Sequence, residues 1–143
     1  MGGHLTDRWI AAGATPNRAR KTLMVVCHAT AAASFTACAL GSASIAIASL
    51  FVIGLAFGAT SPNVFAIGQT LAGPRAAGKW VGVQNCLGNF AGILAPLITG
   101  YLMDSAGGFP AAFAVAGAVT LLGVVGWGLV IPKIKALDWD KAR

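Results

Sequence analysis

Four long apolar stretches, at about 22–40, 44–71, 80–103 and 109–131, decide what this chain can fold into. Each holds roughly 19 to 28 residues, enough for a helix rising 1.5 Å per residue to cross a hydrocarbon core about 30 Å thick. A soluble helix of that length needs a polar face. These stretches contain no Lys or Arg, and the acid nearest to them is Asp104, just past the third. Only 10% of the residues are charged, 57% are hydrophobic, and mean hydropathy is +0.76. Soluble domains average about 25% charged residues, so a water-soluble domain is excluded. The reading is all-α: a polytopic membrane bundle of four transmembrane helices. A segment at 1–21 precedes it and a tail at 132–143 follows.

The net charge of +6 says less than its placement. Arg8, Arg18, Arg20 and Lys21 precede the first span. Arg75 and Lys79 separate the second from the third, and Lys133, Lys135, Lys141 and Arg143 follow the fourth. The turns at 41–43 and 104–108 hold no basic residue. The positive-inside rule then puts both termini and the middle loop in the cytoplasm. Basic residues split among three short segments do not make a nucleic-acid surface, and no nucleic-acid partner is expected.

Chemistry for an enzyme is lacking. Cys27, Cys38 and Cys86 lie inside spans without CxxC spacing and read as small hydrophobes. No disulfide, metal site or cofactor is expected. No span carries paired carboxylates, zinc-ligand spacing or a Ser/His/Asp set, so the chain is read as a non-enzyme. His28 is the titratable group of the first span, and its expected role is a hydrogen bond inside the bundle. The opening Met1-Gly2-x-x-x-Thr6 matches a myristoylation pattern by chance, since a four-span chain needs no lipid anchor. The first 21 residues are too polar for a cleavable signal peptide. The tail from Pro132 reads as a solvated end.

Small residues suggest where helices meet. Ala29, Ala33, Ala37 and Gly41 form a stripe on the first span, and Gly54 and Gly58 a pair on the second. Such spacings let backbones approach closely in lipid. Pro62 predicts a kink, because it lacks an N–H and its ring crowds the carbonyl four residues back. Thr60, Ser61, Asn63 and Gln69 cluster near it, and Gly73-Pro74 ends the span. On the third span, Asn85, Gly88, Asn89, Gly92 and Pro96 share one face at 100° per residue. Amides in lipid need partners. They either join helices or bond a substrate, and the spacing leaves both roles open. Trp127, near the end of the fourth span, reads as an interface anchor.

Gly3-His4-Leu5-Thr6-Asp7-Arg8 resembles the G-x-L-x-D-R loop motif of the major facilitator superfamily. Ser61-Pro62-Asn63, the loop Gly73-Pro74-Arg75-Ala76-Ala77-Gly78-Lys79, and Gln84-Asn85-x-x-Gly88-Asn89-x-x-Gly92-Ile93-x-Ala95-Pro96-x-x-x-Gly100 resemble its anion:cation symporter branch. That branch takes up sugar acids such as hexuronates, galactonate and glucarate. The resemblance covers essentially the whole chain and places its spans as the ninth to twelfth of twelve, the last third of the fold. It implies proton-coupled symport of an organic anion by alternating access across a bacterial inner membrane. Asn85 and Asn89, then Ser61 and Asn63, are the substrate-contact candidates. Gly3, Asp7 and Arg8 would form the conformational lock. The expected partners are the lipid bilayer, an organic anion, protons and the N-terminal helices of the transporter. The family's carboxylates for proton coupling have no counterpart in these spans, so the chain reads as a C-terminal fragment that does not transport alone. Two rivals are a truncated four-span protein that only packs against partner helices, and a dimeric multidrug exporter. The exporter needs an embedded carboxylate that is absent here.

Overall fold

A computed structural model describes residues 2–105, 108–131, 133–137 and 139; the side chains of 2–5 and 105 lie outside the description. The described elements are helical: α1 at Gly2–Ala11, α2 at Pro16–Leu40, α3 at Ala43–Ser105 and α4 at Phe109–Val125. A π-helical turn at Gly126–Val130 extends α4, closed by an Ile131 N–H bond to the Gly126 carbonyl at 3.0 Å. No strand occurs among the described residues.

Local chemistry sets the boundaries. The motif segment expected as a loop is helical in α1. It ends in a turn where the Gly13 N–H bonds the Ile10 carbonyl and the Ala14 N–H bonds the Trp9 carbonyl. This double bond needs a left-handed residue, which Gly13 supplies at φ 96°. Thr15 then caps α2, accepting from the Arg18 N–H, and Pro16 occupies a first-turn position whose N–H would go unused. Gly41 closes α2. A Cβ there would stand 2.6 Å from the Ala37 carbonyl oxygen and 2.7 Å from Ile45, so the short turn into α3 accepts only glycine.

α3 is too long for one crossing. Its dihedrals leave the helical region at Gly73, with φ 68° and ψ 174°, which divides it into arms at 43–72 and 74–105. Each arm is about 45 Å long at 1.5 Å per residue. Three helices are long and apolar enough to cross a membrane, at Pro16–Leu40, Ala43–Asp104 and Phe109–Val130, and the second, divided at Gly73, has the length for two crossings, which gives the four that the apolar stretches predict. The Gly73-Pro74 stop is where the sequence puts it. The loop expected at 73–79 is different, because helix resumes at once after Gly73. Helical dihedrals also run through Pro62.

α2 is the keel of the bundle. It carries the main contacts to both α3 and α4, while α3 and α4 touch each other little. Ala31, Cys38, Ile53 and Ala56 form the buried centre, with Cys27, Phe35, Ala46 and Phe113 against it. Met24 and Ile67 are also enclosed. The buried alanines of α2 are Ala19, Ala31 and Ala32. The expected stripe points elsewhere: Ala29, Ala33 and Gly41 are exposed and Ala37 is half-buried. Gly54 and Gly58 likewise face open space. α2 has small residues on several sides, and spacing alone does not choose among them. Large apolar side chains such as Leu40, Phe51, Leu87, Phe90 and Leu129 stand exposed, as a lipid-embedded surface allows and water does not.

Candidate functional site: an open amide face

The arm at 74–105 carries the amide face, and that face is open. Asn85, Gly88, Asn89, Gly92 and Pro96 are all exposed. Among the described residues nothing lies within 4 Å of where a Cβ would stand at Gly88 or Gly92, so no described helix covers the glycines. The Asn89 side-chain NH₂ donates to the Asn85 carbonyl one turn back at 2.9 Å. That bond leaves the Asn89 Oδ1 turned outward as an acceptor. Joining these four spans to one another is thus not what the face does. It can present amide donors and acceptors to a ligand or to a helix outside them.

The two candidates near Pro62 part company. Ser61 is exposed. Asn63 is 2% exposed and turned onto α1, where its Oδ1 accepts from the Thr6 hydroxyl at 3.4 Å. Thr6 is buried to the same degree. The Asn63 Nδ2 finds no acceptor among the described residues. Sequence reading marked Asn63 as polar and embedded. Its partner lies 57 residues away, where periodicity does not reach.

Of the segment Gly3–Arg8, the side chains of Thr6, Asp7 and Arg8 are described. Thr6 is the buried member, while Asp7 and Arg8 are exposed; Gly3 lies on the α1 backbone. The basic residues behind it tie helix ends together. An Arg20 guanidinium nitrogen donates to Thr70 Oγ1 at 3.3 Å. The Lys21 ammonium donates to the Ile131 carbonyl at 2.6 Å and the Gly128 carbonyl at 3.3 Å. A cation on the last carbonyls of a helix is well placed, since those groups lack intrahelical donors.

A second, apolar cavity of about 310 Å³ opens between the arms of α3 and the end of α4. Its walls include Ile67, Gly68, Trp80, Gln84 and Trp127. Gly68 makes room there, for a Cβ would come 2.6 Å from Gln84 Oε1 and 3.1 Å from the Trp80 ring. Trp127 is half-buried, its ring 6.4 Å from His28, and so sits inside the bundle rather than serving only as an interface anchor. His28 fits its expected role: Nδ1 donates to the Met24 carbonyl at 2.7 Å, and the ring meets Phe57 edge-on at 5.9 Å.

The model of the Major Facilitator Superfamily matches residues 1–142. The chain belongs to that superfamily. It is 34% identical over 143 residues to a Bacillus subtilis (strain 168) protein named "Uncharacterized transporter YybO", covering 96% of this chain and 32% of that one. It is 27% identical over 151 residues to the "Probable galactarate/D-glucarate transporter GudP" of the same organism, covering 99% of this chain and 31% of that one. The chain thus spans about a third of the length of these relatives. No solved structure matches. Four apolar helices in one chain of this superfamily make a multi-pass membrane protein.

Proposed function

We propose that these residues form the C-terminal part of a secondary active transporter that carries an organic anion of the sugar-acid class with protons, by alternating access. The observation that carries this reading is the open face of Asn85 and Asn89 on an arm that the rest of the chain leaves uncovered. Amides bond both the carboxylate and the hydroxyls of a polyhydroxy acid, donating to one and accepting from the other. One relative's printed name, a galactarate/D-glucarate transporter, points to the same class. Asn85 is the first candidate contact, Asn89 the second and Ser61 the third. Asn63 stays a candidate only if the α1 contact opens during the cycle. Gly3, Asp7 and Arg8 belong to a lock at the cytoplasmic end. The membrane is the bacterial inner membrane, with both ends of the chain inside. The proton-coupling carboxylates and the other wall of the site come from the rest of the transporter, across which the two halves rock.

The rival reading is a four-span protein that only packs with partner helices, and the exposed stripe of Ala29 and Ala33 favours it. Uptake of labelled D-glucarate into membrane vesicles separates the two, measured on the whole transporter that carries these residues, with and without an inward proton gradient. Gradient-driven uptake is expected, with at least a tenfold loss in Asn85→Leu at unchanged membrane abundance. Unchanged uptake in that variant removes Asn85 from the site. A collapse in abundance makes it a packing residue. No gradient-driven uptake of any sugar acid ends the symport reading.

A further inference from the structure

The described residues that follow α4, 133–137 and 139, are fastened to the bundle. The Leu137 N–H donates to the Leu71 carbonyl at 2.9 Å, and the Trp139 indole Nε1–H donates to the Ala72 carbonyl at 2.8 Å. Both acceptors lie immediately before Gly73, where the helical ladder of α3 breaks. Pro74 has no N–H, so the Thr70 carbonyl loses its helical donor beside a break in the dihedrals. The tail brings extra donors to the next two carbonyls, those of Leu71 and Ala72. Ala72 is fully buried, and Ala136 lies 3.8 Å from where a Gly73 Cβ would stand. Further back, the Ile134 N–H donates to Asn17 Oδ1 at 2.9 Å, which fastens the same tail to the start of α2. Lys21, one turn along α2, holds the end of α4.

We propose that residues 133–137 and 139 act as a strap that adds hydrogen bonds beside the Gly73 break and fastens the start of α2, the middle of α3 and the end of α4 into one rigid plate. The inference does not depend on the transported substrate. Its consequence for an alternating-access cycle is that this end of the bundle moves as a single body and that releasing the tail frees the bend between the arms of α3.

Hydrogen–deuterium exchange on the whole protein in lipid nanodiscs tests it. The amides of Ile134 and Leu137 should exchange at least tenfold more slowly than in a free peptide of residues 132–143. Trp139→Phe keeps a ring but loses the indole donor, and should speed exchange at Leu137 and at residues 75–77 about fivefold or more. Leu137→Ala keeps its N–H and should leave that protection within about twofold, whereas Leu137→Pro should abolish it. Tail amides at free-peptide rates in the unaltered protein would overturn the strap. So would a Trp139→Phe variant with unchanged exchange on both sides of the break, or equal effects of Leu137→Ala and Leu137→Pro.

Discussion

Asn63 brings an amide oxygen and an amide nitrogen into a place that pairs only the oxygen among the described residues. A buried polar group left without a partner costs about 1–3 kcal/mol, so this residue is held at some expense. If the Thr6 contact is its main duty, Thr6→Val should destabilise the protein by roughly 1–2 kcal/mol. Adding Asn63→Leu should recover most of that, because removing both partners is far cheaper than removing one. Denaturant titration in detergent, run as a double-mutant cycle, reads the coupling directly; strict additivity would mean the two side chains do not interact. Gly123 offers a second test. A Cβ there would stand 2.7 Å from His28 Cδ2, and the ring is held between the Met24 carbonyl and Phe57. Gly123→Ala should therefore cost about 1–3 kcal/mol by overpacking. Thermal unfolding in detergent would show it as a lowered midpoint, and a His28→Ala background should erase most of the difference.

Among the elements, α3 shows what sequence can and cannot reveal. Its break was legible because Gly73 and Pro74 act through their own covalent structure: one tolerates a left-handed dihedral, the other lacks a donor. Gly73→Ala should cost about 1–3 kcal/mol for its backbone conformation alone, since φ 68° with ψ 174° is open essentially to glycine and no side chain crowds the site. A fall in the thermal midpoint is the expected reading, and an unchanged one would mean the break relaxes elsewhere. Pro62 has the same chemistry, yet helical dihedrals pass through it. A proline forfeits one bond and crowds one carbonyl, and whether a helix breaks there depends on neighbours that only the fold supplies. The exposed stripe on α2 is a similar case. The period said that small residues share a face, and the packing partner chose the face of Ala31 and Ala32 instead. The amide face of the arm at 74–105 was legible as a face, because angular position follows from residue number. That it stands open was not, since openness belongs to the helices around it. The described tail residues are mostly exposed, in keeping with a solvated end, but the bonds that fasten them were not legible, for a related reason. The tail's composition is mixed and polar, and the carbonyls it serves are backbone groups that no composition displays. Trp139 in so polar a segment was the available signal.

At the scale of the whole molecule, the basic segments gather at one end. Arg20 bonds Thr70 beside the break in α3, Lys21 the end of α4 and Asn17 the tail, while the turn at 41–42 lies a full helix length away. A membrane-impermeant maleimide should therefore label Ser42→Cys and Lys133→Cys from opposite faces of the membrane, with Ser42→Cys reached from outside. Labelling from the same face would overturn the four-span topology. The keel arrangement also bears on how the chain is assembled. α2 and α4 are joined along their length, yet they lie at opposite ends of the sequence. At roughly 5–20 residues per second, synthesis of the intervening segment takes about 3–14 s. During that interval the side of α2 that carries His28, Ala32 and Phe35 has entered the bilayer without the helix that will cover it. Lipid tolerates an apolar face of this kind while it waits, and His28 already has its bond within α2, so what the last helix supplies on arrival is close packing rather than shelter.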